Sequence, residues 1–156
     1  MTGEIAQTVE VDGSNLNVVI IGTRWNSATV DRLTEGAVRG LTSFGVTSIE
    51  YVSVPGAYEL PYAANIIAQS GRADGIIVVG AVIRGETTHY ELVAGECGRA
   101  IQDVQIATSV PIGFGVLTVE NEAQAFARSE AAGGHNVGEE AAAVAVEMAL
   151  LRKQWA

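Results

Sequence analysis

One segment of the chain concentrates side chains suited to binding an anion and moving a proton. It reads Gly80-Ala81-Val82-Ile83-Arg84-Gly85-Glu86-Thr87-Thr88-His89-Tyr90 and follows the apolar run Ile76-Ile77-Val78-Val79. A helical pattern comes next, and the N–H groups at a helix start favour an anion, to which Arg84 or the threonine hydroxyls would add. His89, one of only two histidines, falls in the first turn. The segment therefore predicts proton transfer to a phosphorylated substrate, although His89 alone could be a solvated residue and a threonine alone an N-cap.

Three other loops carry candidate side chains. Trp25 follows the first apolar run and would stack on a planar ligand, or would pack on the edge of a sheet. Glu59 follows the turn Pro55-Gly56, where a carboxylate could bind a polyol but more commonly complements the helix dipole. Arg128 would bind phosphate, or is an ordinary surface arginine when considered alone. Each of these residues is ambiguous singly.

Apolar runs and helical patterns alternate along the chain, which is typical of a parallel sheet. The pattern predicts a flavodoxin-like α/β fold, a three-layer sandwich with a central four-stranded parallel sheet and helices on both faces. We expect one domain, residues 1–156. The last helix is apolar on most faces and predicts a subunit contact. Strands are expected over 16–21, 49–54, 73–83 and 112–117, and helices over 30–44, 57–69, 92–104, 120–128 and 139–152.

Composition excludes several classes of function. The net charge of -9 argues against a nucleic-acid partner, which needs a basic face. No apolar run approaches the ~20 residues of a membrane span. The chain has no phosphate-binding loop and no dinucleotide fingerprint, which weakens dinucleotide binding. Its two histidines fall in separate loops and it has no cysteine pair, which argues against a zinc site. A single cysteine, Cys97, and the start Met1-Thr2-Gly3-Glu4-Ile5, which lacks a signal pattern, predict a cytoplasmic protein.

Together these loops resemble one enzyme family, 6,7-dimethyl-8-ribityllumazine synthase, which catalyses the penultimate step of riboflavin biosynthesis. The resemblance runs in order from about Leu16 to Met148, and the motif Gly-x-Val-Ile-Arg-Gly-x-Thr-x-His is highly specific. The segments that carry it are Arg24-Trp25-Asn26, Val54-Pro55-Gly56-Ala57-Tyr58-Glu59-Leu60-Pro61, Gly80–Tyr90, Gly115-Val116-Leu117-Thr118 and Glu122-Ala123-Gln124-Ala125 with Arg128.

The resemblance implies the reaction. The family condenses 5-amino-6-(D-ribitylamino)uracil with 3,4-dihydroxy-2-butanone 4-phosphate, and releases phosphate and water without a cofactor. It also implies a role for each site residue. Trp25 would stack on the pyrimidine, His89 would transfer protons, and Phe114 and Arg128 would come from a neighbouring subunit to close the pocket and bind the phosphate. The remaining implied contacts are the ribityl site at Ala57, Tyr58 and Glu59, the pyrimidine border at Ala81, Val82 and Ile83, and the phosphate site at Glu86 and Thr87.

The resemblance also bears on assembly. It implies a homo-oligomer with active sites at subunit interfaces, in which residues 1–14 could add a strand to a neighbour. The loop Ala132-Gly133-Gly134-His135-Asn136-Val137-Gly138 lacks the lysine of many relatives, which His135 would partly replace. The loop resembles that of fungal pentameric members, so a pentamer is favoured over an icosahedral shell. Two alternatives stay open: a riboflavin synthase of the archaeal type, and a non-catalytic flavin-binding or shell-forming paralogue.

Overall fold

The computed structural model describes residues 10–156, in which four parallel strands form a single sheet. The strands are β1 (Asn17–Thr23), β2 (Ser48–Val54), β3 (Gly75–Ile83) and β4 (Ile112–Val119). Their order is β2-β1-β3-β4, so β1 and β3 are central and β2 and β4 lie at the edges. All neighbouring strands are parallel, which brings their carboxyl ends to one edge of the sheet. The predicted flavodoxin-like architecture is confirmed.

Five α-helices cover the two faces of this sheet. They are α1 (Ser27–Ser43), α2 (Leu60–Gln69), α3 (His89–Thr108), α4 (Glu122–Ala127) and α5 (Val137–Trp155). One buried cluster joins α1, α4 and α5 to one face, through side chains such as Leu33, Ala125 and Val146. A second cluster joins α2 and α3 to the other face, through Leu60 and Ile101 among others. No helix of residues 10–156 has the length and apolarity that crossing a bilayer would require.

Alternation of side chains along β3 explains why its sequence is a continuous apolar run. Ile77 and Val79 face the cluster under α1 and α5, whereas Ile76 and Val78 face the cluster under α2 and α3. Successive side chains of a strand point to opposite faces, so a strand covered on both sides needs apolar residues at every position. Residues 75–81 are accordingly all buried.

The element boundaries differ from those predicted where polar side chains cap helices. Residues 57–69 are not one helix, because Ala57–Glu59 form a turn of 3-10 helix before α2 begins, with Pro61 in its first turn. Helix α4 starts only at Glu122, since the side chain of Asn121 accepts a hydrogen bond from Gln124 N at 2.9 Å. Asn136 caps α5 in the same way, so this helix begins two residues earlier than predicted and extends to Trp155.

The single-domain prediction has no direct test in these elements, and residues 1–9 of the proposed N-terminal arm lie outside the described part of the chain. What the fold establishes is the position of the loops. The loops that follow β1, β2 and β3 carry Trp25, Glu59 and His89 respectively, and all three loops leave the sheet at its carboxyl edge. Ligands of open α/β sheets bind at this edge.

Candidate active site

The loop after β1 is fastened to both neighbouring strands. Arg24 N donates to Val54 O at 3.1 Å, at the end of β2. Asn26 Nδ2 donates to Ala81 O at 2.9 Å, near the end of β3. Asn26 adopts a left-handed backbone conformation with φ of 56°, a conformation that asparagine tolerates better than most residues. Trp25 therefore sits between two fixed residues, and its side chain is 73% exposed at the sheet edge.

Trp25 and Glu59 approach each other around Gly56. A Cβ atom placed on Gly56 would lie 3.2 Å from Trp25 Cδ1 and 3.2 Å from Glu59 Oε2. Glycine at this position thus leaves room for both side chains. Ala57 is buried, whereas Tyr58 and Glu59 are exposed. The structure brings a flat aromatic face and an exposed carboxylate together, which suits a ligand with a planar ring and hydroxyl groups.

The start of α3 presents His89 and free backbone donors. Glu86, Thr87, Thr88 and His89 are all exposed, and His89 is the first residue of the helix. Thr87 Oγ1 accepts a hydrogen bond from His89 N at 3.3 Å. Within the described residues, the N-cap Thr88 makes no capping hydrogen bond with its side chain. The remaining N–H groups of the first turn are therefore available to an anion.

Arg84 is paired within the chain, and this differs from the anion-binding role considered above. Its guanidinium contacts the Glu91 carboxylate, and its Nε lies 2.8 Å from Glu120 Oε2. Its Cζ lies 4.3 Å from the centre of the Tyr90 ring. The hydrogen bond from Arg84 holds the pKa of Glu91 below its usual value. Arg84 therefore forms ion pairs with two carboxylates in this loop region.

Phe114 lies away from the carboxyl edge of its own sheet. It pairs in register with Val78, whereas the strand ends are marked by Ile83 opposite Val119. Val119 lies five positions after Phe114 in the chain, which corresponds to roughly 16 Å along a strand. Its ring faces α3, and a Cβ on Gly98 would lie 3.9 Å from Phe114 Cζ. Phe114 therefore does not join Trp25 and Glu59 within one chain.

Arg128 lies in the other helical layer. It follows α4, exposes its side chain and donates from Nη1 to Gln124 O at 3.0 Å. The next residue, Ser129, is fully buried and accepts a hydrogen bond from Arg32 Nε of α1 at 3.1 Å. His135 Nε2 lies 2.9 Å from Glu140 Oε1. Arg128 is thus on the α1 and α5 side of the sheet, whereas His89 begins a helix of the opposite layer.

The sequence did not single out Asn136 and Ser129, which hold the Arg128 segment in place. Asn136 is 3% exposed; its Nδ2 donates at 3.0 Å to both Arg32 O and Glu130 O, and its Oδ1 accepts from Glu139 N. An asparagine before a helical pattern is a recognisable N-cap signal, but its contact with α1 is not visible in the sequence. Among residues 10–156 no group of histidine, cysteine and acidic side chains has a metal-binding arrangement.

The sequence model of the 6,7-dimethyl-8-ribityllumazine synthase family matches residues 15–153. The chain belongs to this family. A protein of Kineococcus radiotolerans that carries the family name is 45% identical over 148 residues, which cover 94% of this chain and 91% of that protein. Another of Leptothrix cholodnii, with the same name, is 44% identical over 144 residues, which cover 91% of this chain and 90% of that protein.

Membership of the lumazine synthase family confirms the predicted class of enzyme, a transferase of riboflavin biosynthesis. The matches support neither alternative that the sequence left open, the archaeal-type riboflavin synthase or the non-catalytic paralogue.

Proposed function

We propose that this lumazine synthase condenses 5-amino-6-(D-ribitylamino)uracil with 3,4-dihydroxy-2-butanone 4-phosphate. The observation that carries the proposal is the exposed His89 at the start of α3, directly after the loop that follows β3 and at the edge where Trp25 and Glu59 approach each other. The amine of the pyrimidine attacks the ketone and forms an imine with loss of one water, and phosphate then leaves by elimination. The ribitylamino nitrogen closes the ring on the carbonyl that this elimination leaves, with loss of a second water. Each step moves protons, so positioning and acid–base catalysis carry the rate.

The pyrimidine substrate would occupy the space above Trp25. The indole stacks on the ring, and Glu59 accepts hydrogen bonds from the ribityl hydroxyls beside Ala57 and Tyr58. The exposure of Trp25 and the proximity of both side chains to Gly56 support this arrangement. Ala81, Val82 and Ile83 border the ring through backbone groups. Asn26 Nδ2 donates to Ala81 O at 2.9 Å, which fixes this strand end beside the Trp25 loop.

The phosphate would bind at the start of α3. Backbone N–H groups near Glu86 and Thr87, together with the Thr87 hydroxyl, hold the phosphate, while His89 takes and returns the protons. The exposed first turn, with Thr88 making no side-chain cap, supports this role. A helix N-terminus stabilises a bound dianion through both its dipole and its free donors. The proton-transfer group and the leaving group would then be held by the same turn.

Phe114 and Arg128 would act in the site of a neighbouring subunit. Within one chain Phe114 lies roughly 16 Å from the strand ends, and Arg128 lies in the layer opposite α3. Neither residue joins Trp25 within one chain, but both are exposed where a second chain would contact them. Phe114 would close the ring pocket and Arg128 would bind the phosphate. The complete site would then form only in an oligomer.

Two different apolar surfaces support a ring of subunits. The first is a groove of about 960 Å³ between α3 and α5, lined by Ile106, Phe114, Val144, Met148 and Trp155 among other residues. The second is a stripe on the outer face of the Ala57–Gln69 segment, formed by Tyr58, Tyr62 and Ile66. Contacts between unlike surfaces are heterologous, and they close into rings when the rotation between subunits permits it.

A pentamer is the assembly that we propose, rather than an icosahedral shell of pentamers. The loop after Arg128 is folded back on itself, with Glu130 N donating to His135 O at 2.9 Å and a bridge between Ser129 and Asn136. A rigid projection at this position would hinder packing between rings. Mass photometry on the 16.2 kDa chain distinguishes a pentamer from a shell directly. We also propose that the enzyme works in the cytoplasm, where its buried free Cys97 would stay reduced.

The first test is a two-substrate assay that follows lumazine absorbance and phosphate release without added metal. Turnover above the uncatalysed rate is expected. The His89→Ala variant should lower kcat by on the order of 10²-fold and leave the KM for the pyrimidine nearly unchanged. Arg128→Ala should mainly raise the KM for the butanone phosphate. Absence of turnover in the folded oligomer would refute the proposed reaction, and an unchanged kcat would remove His89 from the mechanism.

Subunit complementation tests the shared site. The His89→Ala and Arg128→Ala chains are co-expressed with different tags, and mixed oligomers are isolated. With random mixing in equal amounts, about one interface in four pairs an intact His89 with an intact Arg128. At butanone phosphate concentrations well below KM, where both single variants turn over slowly, activity should therefore recover to about one quarter of the wild-type value. A site within a single chain would give no recovery, because each chain would lack one of the two residues.

A further inference from the structure

Arg84 lies between the start of α3, which would attract an anion, and two carboxylates, which would repel one. Its guanidinium contacts Glu91 in the first turn of α3 and Glu120 just after β4. Its backbone N donates to Val119 O at 2.9 Å, so the residue is fixed where β3 and β4 end. A phosphate dianion at the start of α3 would therefore bind close to two carboxylates, and Arg84 is the cation that faces both of them.

The burial of these side chains shows what kind of effect Arg84 can have. Its side chain is 37% exposed, and those of Glu91 and Glu120 are 53% and 56% exposed. Ion pairs as exposed as these contribute little to folding stability. Their charges nevertheless act on an anion within a Debye length. The three groups carry a net charge of minus one together, and they would carry minus two without Arg84.

We propose that Arg84 is a positioning residue that compensates the carboxylates of Glu91 and Glu120, and thereby lets the start of α3 accept the phosphorylated substrate. This inference rests on the proposed phosphate site. Arg84 does not itself touch the phosphate, because its guanidinium is held by the two carboxylates and by the Tyr90 ring at 4.3 Å. The charge-conserving variant Arg84→Lys should then retain most of this charge compensation, whereas Arg84→Met should lose it.

The experiment measures KM for each substrate separately in the wild-type oligomer and in its variants. Arg84→Met should raise the KM for the butanone phosphate roughly three- to ten-fold at low ionic strength, as expected for one charge lost on the order of 10 Å from a dianion. The rise should fall below about two-fold at 0.5 M salt, where the screening length is only a few ångströms. The kcat and the KM for the uncharged pyrimidine should change by less than about two-fold.

A triple variant distinguishes charge compensation from direct phosphate binding by Arg84. Arg84→Met combined with Glu91→Gln and Glu120→Gln removes all three charges. Its KM for the butanone phosphate should return to the wild-type value or fall below it. If the triple variant binds the butanone phosphate as weakly as Arg84→Met does, the proposal is overturned. Should Arg84→Met not assemble, Glu120→Gln alone must lower this KM, and an unchanged or higher KM overturns the proposal as well.

Arg99, on α3, provides a matched control. It also pairs with two carboxylates, Glu96 at 2.8 Å and Asp103, but it lies ten residues after His89, or roughly 15 Å along the helix. Arg99→Met has the same change in net charge and should leave both KM values unchanged. An equal rise in this variant would show an effect of overall charge and overturn the proposal. Failure of the proposed function is seen separately, as absence of phosphate release by the wild-type enzyme.

Discussion

Gly36 leaves the space that Asn136 occupies between α1 and α5, so a methyl group at this position should destabilise the enzyme. A Cβ atom on Gly36 would overlap the Asn136 amide. That amide is buried, donates to Arg32 O and Glu130 O, and accepts from Glu139 N. The change Gly36→Ala therefore forces the asparagine away from three partners at once. In an unconstrained helix the same change would stabilise the protein.

The expected magnitude follows from these contacts. Replacing a glycine in a helix interior by alanine gains about 1 kcal/mol. Loss of an N-cap costs about 1 kcal/mol. Each buried polar group that is left without a partner costs about 1–3 kcal/mol, and the amide has two carbonyl partners. The losses of about 3–7 kcal/mol exceed the gain, so Gly36→Ala should lower the free energy of unfolding by about 2–6 kcal/mol.

Urea unfolding at a fixed protomer concentration is the appropriate assay, because the stability of an oligomer depends on concentration. Gly95 of α3 provides the control, since a Cβ there would meet no atom within 4 Å. Gly95→Ala should raise the free energy of unfolding by up to about 1 kcal/mol. If Gly36→Ala is as stable as the wild type or more so, Asn136 does not fasten the two helices as described. A small loss matched by Gly95→Ala would lead to the same conclusion.

Three further predictions concern single side chains. Burial raises the pKa of the Cys97 thiol to about 11, so alkylating reagents at pH 8 should modify Cys97 only after the protein unfolds. The stability linked to the protonated thiol is present below about pH 9 and is lost as the pH rises towards 11. Urea unfolding across that pH range would show this loss. Glu59→Gln should raise the KM for the ribitylaminouracil and leave the KM for the butanone phosphate unchanged in steady-state kinetics. An equal rise in both KM values would contradict a ribityl-binding role. The Trp25 side chain is 73% exposed, so riboflavin should quench its fluorescence in a titration. The quenching should be weaker in Trp25→Phe, and absence of quenching in the wild type would contradict stacking.

The parallel sheet and the position of its loops were predictable because burial on both faces of a strand leaves a direct trace in sequence. The continuous apolar run of β3 indicated a buried strand, and the polar loop after it was expected at the carboxyl edge of the sheet. The exposed His89 at the start of α3 followed from the same pattern. Local sequence determines these features, since each depends on residues close together in the chain.

Long-range pairing was not predictable in this way. Arg84 precedes the first turn of α3 and suggested an anion ligand, but its partner Glu120 lies 36 residues further along the chain. Asn136 was visible only as part of a glycine-rich loop, whereas its amide contacts a carbonyl of α1. The distance between Phe114 and the strand ends required the register of β4 against β3. A charge or an amide finds its partner through the tertiary fold, and alternation of apolar residues carries no record of it.

Contacts between the first helix and the last one have a consequence for how the chain is synthesised. Arg39 pairs with Glu139, and the Asn136 amide bonds to Arg32, across 100 and 104 residues respectively. The face of the sheet under α1 is completed by Ala141, Ala145 and other small residues of α5. During translation this face therefore remains only partly covered until almost the entire chain has left the ribosome. A nascent chain truncated before α5 exposes an apolar sheet surface, and chaperones that bind such surfaces have most of the synthesis time in which to act.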